Sequence, residues 1–176
     1  WKTKVNNLLG KEYQEAACVS MNAMNLSIYC HSSVYPYINT IESNTVKTGG
    51  MGFLGNKGAL GISFNIAEFS ILVLAVHLEA GDSKAKGRDE HFEKIKNNIN
   101  LPKKTKSGLN ASMPRRSNLV VALGDFNYRT EMNKTDALVN VANKNYDVDC
   151  CSKGTLEKRS THEEIKYRAL SLWGIL

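Results

Sequence analysis

Apolar and polar positions change rhythm several times along the chain. In residues 59–66 Leu60, Ile62, Phe64 and Ile66 alternate with small or polar residues, and residues 69–76 are almost wholly apolar. The first run reads as a strand with one buried face and the second as a central strand, joined as a hairpin at Ala67-Glu68. Residues 119–123 are again unbroken apolar, stop at Gly124, and release Asp125, Asn127 and Arg129; this reads as a strand buried on both faces. Earlier, Cys18, Met21, Met24, Leu26, Ile28 and Cys30 space residues 16–31 as two short strands with a turn near residues 22–25.

Helical spacing occurs in four places. Val5, Leu8 and Leu9 lie within residues 1–15, with Gly10 as the stop. Phe92, Ile95 and Ile99 make residues 83–100 a basic amphipathic helix that Pro102 ends. Residues 136–143 and 162–175 (Ile165, Leu170, Leu172, Trp173) read as two further helices. Pro36 suits a helix entry or turn in residues 34–38.

Residues 48–58 break every rhythm. Five glycines (Gly49, Gly50, Gly52, Gly55, Gly58) predict a loop whose backbone can approach a ligand closely. The Gly-Lys-Ser/Thr ending of a P-loop is missing. Asn56-Lys57 offers donors suited to phosphate or to water on a metal. Met51, Phe53 and Leu54 either fold inward or dip into a lipid surface beside positive charge.

Length and composition fit one ordinary globular domain: 176 residues, 42% hydrophobic and 23% charged, with no repeats or low-complexity segments. No apolar run approaches the ~20 residues of a membrane-spanning helix. The net charge of +6 favours a polyanionic partner, without choosing among nucleic acid, an acidic membrane surface and a phosphorylated small molecule. Residues 103–116 are a basic loop without interleaved aromatics, so base stacking and a nucleic-acid role are disfavoured. Cys18, Cys30, Cys150 and Cys151 lack zinc spacing, and reduced thiols in the cytoplasm are expected. The sequons at Asn25, Asn110 and Asn133 read as chance matches, because no signal-peptide pattern opens the chain.

Two apolar strands end in groups that carry chemistry. Asp125 and Asn127 are two apart, so an extended backbone points both to one side. His77 follows the central strand, just before a Leu-Glu-Ala-Gly loop, in the same kind of position as Asp125. Glu15 is a conceivable metal carboxylate, but the bland reading, a solvated residue at a helix end or loop, is preferred because nothing apolar anchors it.

Taken in order, these segments resemble the inositol polyphosphate 5-phosphatases. Thr48-Gly49 through Gly55-Asn56-Lys57-Gly58-Ala59-Leu60 is similar to that family's Thr-Gly…Gly-Asn-Lys-Gly-Ala-Val. Val76-His77-Leu78-Glu79-Ala80-Gly81 is similar to Ser-His-Leu-Ala-Ala-Gly, and Gly124-Asp125-Phe126-Asn127-Tyr128-Arg129 to Gly-Asp-Leu-Asn-Tyr-Arg. Arg88-Asp89-Glu90-His91-Phe92 is a looser match to Arg-Asn-x-Asp-Tyr. Four motifs in order are specific where one would not be.

The resemblance implies a DNase I-like α/β/β/α sandwich of two mixed sheets, with residues 1–176 a partial catalytic domain, matched best over residues 1–129 and divergent over residues 130–176. It implies Mg²⁺-dependent removal of the 5-phosphate from phosphoinositides or soluble inositol phosphates. Asp125 would orient or deprotonate the attacking water and ligate the metal; Asn127 would hold that water or the phosphoryl oxygens, and His77 would support the metal and the scissile phosphate. Asn56 and Lys57 would contact substrate phosphate, with Arg88 and Arg129 stabilising the substrate site. The Met51, Phe53 and Leu54 loop would touch membrane, giving a cytoplasmic protein with peripheral membrane association.

The departures matter equally. The family's metal-binding Asn and Glu belong before the matched segment. Its Pro-Thr-Tyr-Lys, Trp-Cys-Asp-Arg-Ile and Ser-Asp-His motifs should follow Arg129, and none is found. This chain alone is therefore expected to be inactive or nearly so. The alternatives are a non-catalytic phosphoinositide- or membrane-binding remnant and a nuclease of the same superfamily.

Overall fold

The computed structural model describes residues 1–102 and 117–128, with residues 135, 136, 138, 139 and 143. The expected basic loop 103–116 and closing helix 162–175 lie outside the described residues. Of the helix expected at residues 136–143, helical backbone is described at Asp136, Leu138 and Val139.

The chain opens with helix α1 (Lys2–Leu9), which stops at Gly10 with φ 79°, as the spacing predicts. No α1 residue is buried, so the Val5, Leu8 and Leu9 stripe is not packed against the core. Strands β1 (Tyr13–Met21) and β2 (Met24–His31) follow as an antiparallel hairpin. The turn is shorter than expected, because Asn22 takes φ 50° and reverses the chain within two residues. Pro36 sits in a single 3₁₀ turn, Tyr35–Tyr37.

A second sheet has the order β3-β4-β5-β6, formed by β3 (Ile38–Gly49), β4 (Leu54–Ile66), β5 (Phe69–His77) and β6 (Leu119–Asp125). Its first three strands are antiparallel, and β6 lies parallel to β5. A parallel neighbour needs a crossover. Helix α2 (Ala85–Asn98) supplies it, packed on the sheet through Ile95 with Ile99 and Leu101 just beyond its end.

Strand alternation divides the core in two. Leu72, Leu74 and Val76 of β5 face α2, together with Val46, Ala59 and Leu78. Ala75, partnered by Leu60, Ile62 and Phe64 of β4, faces the β1–β2 hairpin through Met21 and Leu26. The continuous apolar character of β5 is thus the mark of a strand covered on both faces. The two sheets lie face to face with a helix outside, as a two-sheet sandwich requires.

The four-stranded sheet is mixed, and the two-stranded one, a hairpin with a two-residue turn, is antiparallel. Three expectations change. Strand β3 was not expected, because INTIESNTVKTG is mostly polar; it is an edge strand, held chiefly by pairing with β4. The predicted glycine loop shrinks to a 3₁₀ turn, Gly50–Gly52, with Asn56, Lys57 and Gly58 inside β4. Gly58 fits there because a Cβ would lie 1.9 Å from the Val46 carbonyl oxygen across the ladder. Finally, β6 is not buried on both faces. Val120 and Ala122 pack on the α2-side core, while Leu119 and Leu123 stay 44% and 36% exposed on the other side.

Candidate active site

The site forms where β4, β5 and β6 come together. Parallel pairing sets His77 at the end of β5 directly opposite Asp125 at the end of β6. Antiparallel pairing sets Gly58 opposite His77, which brings the preceding Lys57 to the same place. Three strands therefore deliver an imidazole, a carboxylate and an ammonium to one spot.

Lys57 Nζ donates to His77 Nε2 at 2.5 Å. An ammonium has no lone pair, so Nε2 must be the acceptor and the ring proton sits on Nδ1. Asp125 Oδ2 lies 3.8 Å from the same Nε2. That is too long for a hydrogen bond, and a neutral ring makes no ion pair. Burial pushes the His77 pKa below its usual 6.5 and the Lys57 charge pushes it further, while Asp125 opposes. At neutral pH the three groups are a neutral imidazole held between an ammonium and a carboxylate.

The turn after β6 locks Asp125 in place. Asp125 Oδ1 accepts the Asn127 backbone N–H at 2.9 Å, and Asn127 takes φ 53°, a conformation asparagine tolerates better than most residues. The Asn127 side-chain amide donates to the Leu78 carbonyl at 3.0 Å, and the Leu78 N–H donates to the Asp125 carbonyl at 2.9 Å. Gly124 makes the approach possible. Its φ is 124°, and a Cβ there would lie 2.1 Å from the Val76 carbonyl oxygen.

Asn56, the residue before Lys57 in β4, is exposed, and its Oδ1 lies 2.3 Å from where a Cβ on Gly49 would be. Arg88, expected to stabilise the substrate site, is 1% exposed. Its Nη1 donates to the carbonyls of Gly81 at 2.7 Å and Glu79 at 3.4 Å, and its guanidinium lies 5.5 Å from the centre of the Tyr128 ring. The geometry gives Arg88 the task of fixing the loop that follows His77. Tyr128 and Asp89 complete this support, the Tyr128 hydroxyl donating to Asp89 Oδ1 at 2.8 Å. No spacing rule links residues so far apart, although Tyr128 stood inside a recognised motif.

Other candidates lie elsewhere. Glu15 lies near the start of β1, where its carboxylate accepts from Lys2 Nζ at 2.8 Å and from the Tyr29 hydroxyl at 3.2 Å. Phe53 and Leu54 are 81% and 58% exposed at the β3–β4 tip. Met51 takes part in the tip's 3₁₀ turn, and its side chain lies outside the described residues, as does Arg129.

Mg²⁺ prefers six oxygen ligands, commonly one or two carboxylates with waters and phosphate. Asp125 offers one carboxylate. Among the described residues no group of three His, Cys, Asp or Glu side chains gathers to hold a metal ion, so a metal here would complete its shell with waters and phosphate.

The chain matches the family described as Endonuclease/Exonuclease/phosphatase family 2 over residues 1–168. Synaptojanin-2 of Rattus norvegicus is 31% identical over 134 residues, covering 75% of this chain and 8% of that protein. Phosphatidylinositol 3,4,5-trisphosphate 5-phosphatase 2B of Danio rerio is 28% identical over 148 residues, covering 84% of this chain and 12% of that protein. The solved inositol polyphosphate 5-phosphatase domain of SPsynaptojanin, in complex with inositol (1,4)-bisphosphate and calcium ion, matches with a TM-score of 0.62 at 27% identity, covering 81% of this chain and 41% of that one. The fold is therefore DNase I-like, the architecture of a class of phosphohydrolases. Within that class the chain belongs to the endonuclease/exonuclease/phosphatase family 2, on its inositol polyphosphate 5-phosphatase branch. It spans less than half the length of the matched domain.

Proposed function

We propose that this chain carries the phosphate-facing part of a site that removes the 5-phosphate from phosphoinositides or soluble inositol phosphates. The observation that supports this most is the meeting of Lys57, His77 and Asp125 at the ends of three adjacent strands. Phosphate-monoester hydrolysis needs charge neutralisation and an aligned water more than covalent help. Lys57 and the nearby Asn56 offer donors to phosphate oxygens, and Arg129 is retained as a further substrate contact. Asp125 orients or deprotonates the water. Asn127, through its bonds to Asp125 and Leu78, holds that carboxylate toward His77. His77, neutral, accepts from the Lys57 ammonium through Nε2 and so positions it beside Asp125.

Mg²⁺ is the proposed cofactor, with Asp125 as one of its ligands; it would polarise the phosphoryl group. The proposed place of action is the cytoplasmic face of a membrane, touched by Met51, Phe53 and Leu54. A second reading for the isolated chain is a phosphate-binding module that does not turn over, in which Lys57 and Asn56 hold phosphate beside His77.

The deciding assay measures phosphate release from 5-phosphorylated inositides with Mg²⁺, for this chain and for a form extended at both ends. Turnover is expected only in the extended form and is lost on His77→Ala or Asp125→Ala. Activity in the short chain would show that its 176 residues suffice, and silence in the extended form would remove the phosphatase reading.

A further inference from the structure

Beside the β3–β4 tip, between edge strand β3 and helix α2, runs a shallow open groove lined by Thr45, Val46, Lys47, Gly52, Lys94 and Asn98. Two of its lining residues are lysines and none is acidic. Lys47 and Lys94 are both exposed, and neither pairs with an acid among the described residues, whereas Lys84, Lys86 and Lys96 all do. Lys94 reaches the tip itself. A Cβ on Gly52, whose φ is 95°, would lie 2.7 Å from Lys94 Nζ. Next along the chain come Phe53 and Leu54, the large apolar pair left in water.

We infer that this end of the molecule docks on an anionic phospholipid bilayer, with Lys47 and Lys94 holding the headgroup of a lipid other than the substrate while Phe53 and Leu54 enter the acyl boundary. Charge complementarity selects the occupant. An anionic bilayer offers negative headgroups and hydrocarbon within a few ångströms of each other, matching the order of groove and tip. A nucleic acid matches the lysines and could stack on Phe53, but gives Leu54 nothing. Neither Lys57 nor His77 lines the groove. This deepens the membrane contact proposed above and rests on it.

The test uses the 176-residue chain and vesicles of phosphatidylcholine, with or without phosphatidylserine and without any phosphoinositide. Co-sedimentation is expected only with phosphatidylserine and should weaken with salt. Neutralising a lysine at the surface costs about fivefold in membrane affinity, so Lys47→Gln with Lys94→Gln should lose at least about tenfold. Lys4→Gln with Lys11→Gln makes the same change in net charge away from the tip and should lose less than about twofold. Circular dichroism confirms that both double variants fold.

Equal losses in the two double variants would overturn the headgroup site, since net charge alone would then explain binding. Loss confined to Phe53→Ser, with the lysine variants unaffected, would leave the membrane reading standing and remove the groove. Binding to a short RNA but not to vesicles would overturn the bilayer as occupant. No outcome depends on turnover, so a failed phosphatase reading would not be mistaken for a failed groove.

Discussion

His77 reports on the site because its two charged neighbours pull its pKa in opposite directions. Lys57→Gln keeps a donor but removes a positive charge, so the His77 pKa should rise; Asp125→Asn should lower it. Following the imidazole proton by NMR against pH checks both, and a shift of the same sign in both variants would mean the three side chains do not meet. The linkage sign follows. The folded-state pKa lies below the unfolded value near 6.5, so the unfolded chain binds more protons in this window. The contribution to stability is complete above pH 6.5 and fades as pH falls through the folded pKa. Denaturant midpoints should therefore fall on acidification, and fall less in His77→Asn. The effect is small, because the ring is partly open to water.

At the scale of elements, the junction of β5 with β6 sets the site, and Gly124 is its narrowest point. Gly124→Ala would force a Cβ to within 2.1 Å of a backbone oxygen at a φ of 124°. Backbone strain alone costs about 1–3 kcal/mol, and the clash adds to it. The variant should show a lower urea midpoint and, in hydrogen exchange, faster loss of the Leu78 amide that donates to Asp125. A variant as stable as the parent would mean that β6 is not held in this register. This junction was half legible in the sequence. The apolar density of β4 and β5 marked both strands and their hairpin, and the motifs ending at His77 and Asp125 marked the site. What stayed hidden was set by pairing across the chain. Strand β3 has too few buried residues to show a period, and glycines that read as a loop sit in β4 because a neighbouring backbone passes close. Arg88 was placed at the substrate site by the resemblance alone, and no sequence pattern shows that its guanidinium is buried against loop carbonyls.

At the scale of the molecule, cover is uneven. Helix α2 shields one face of the four-stranded sheet, while the hairpin's core on the other face is built on β4 and β5. Leu119 and Leu123 stay partly in water on that face of β6, and β6 has a strand neighbour on one side only among the described residues. An open edge with apolar side chains beside it is a template for pairing with another chain. The isolated 176-residue chain should therefore self-associate as its concentration rises, which sedimentation velocity would show. Leu123→Lys should suppress association at a modest cost in stability, since Leu123 is only 36% exposed. The same association would bring a second polypeptide against the strand that carries Asp125, so it should also slow exchange of the β6 amides. A chain that stays monomeric at high concentration, with β6 amides already protected, would mean that this edge is covered within the chain itself. In that case the site would keep its shape without a partner, and the extended form should add catalytic groups without further ordering β6.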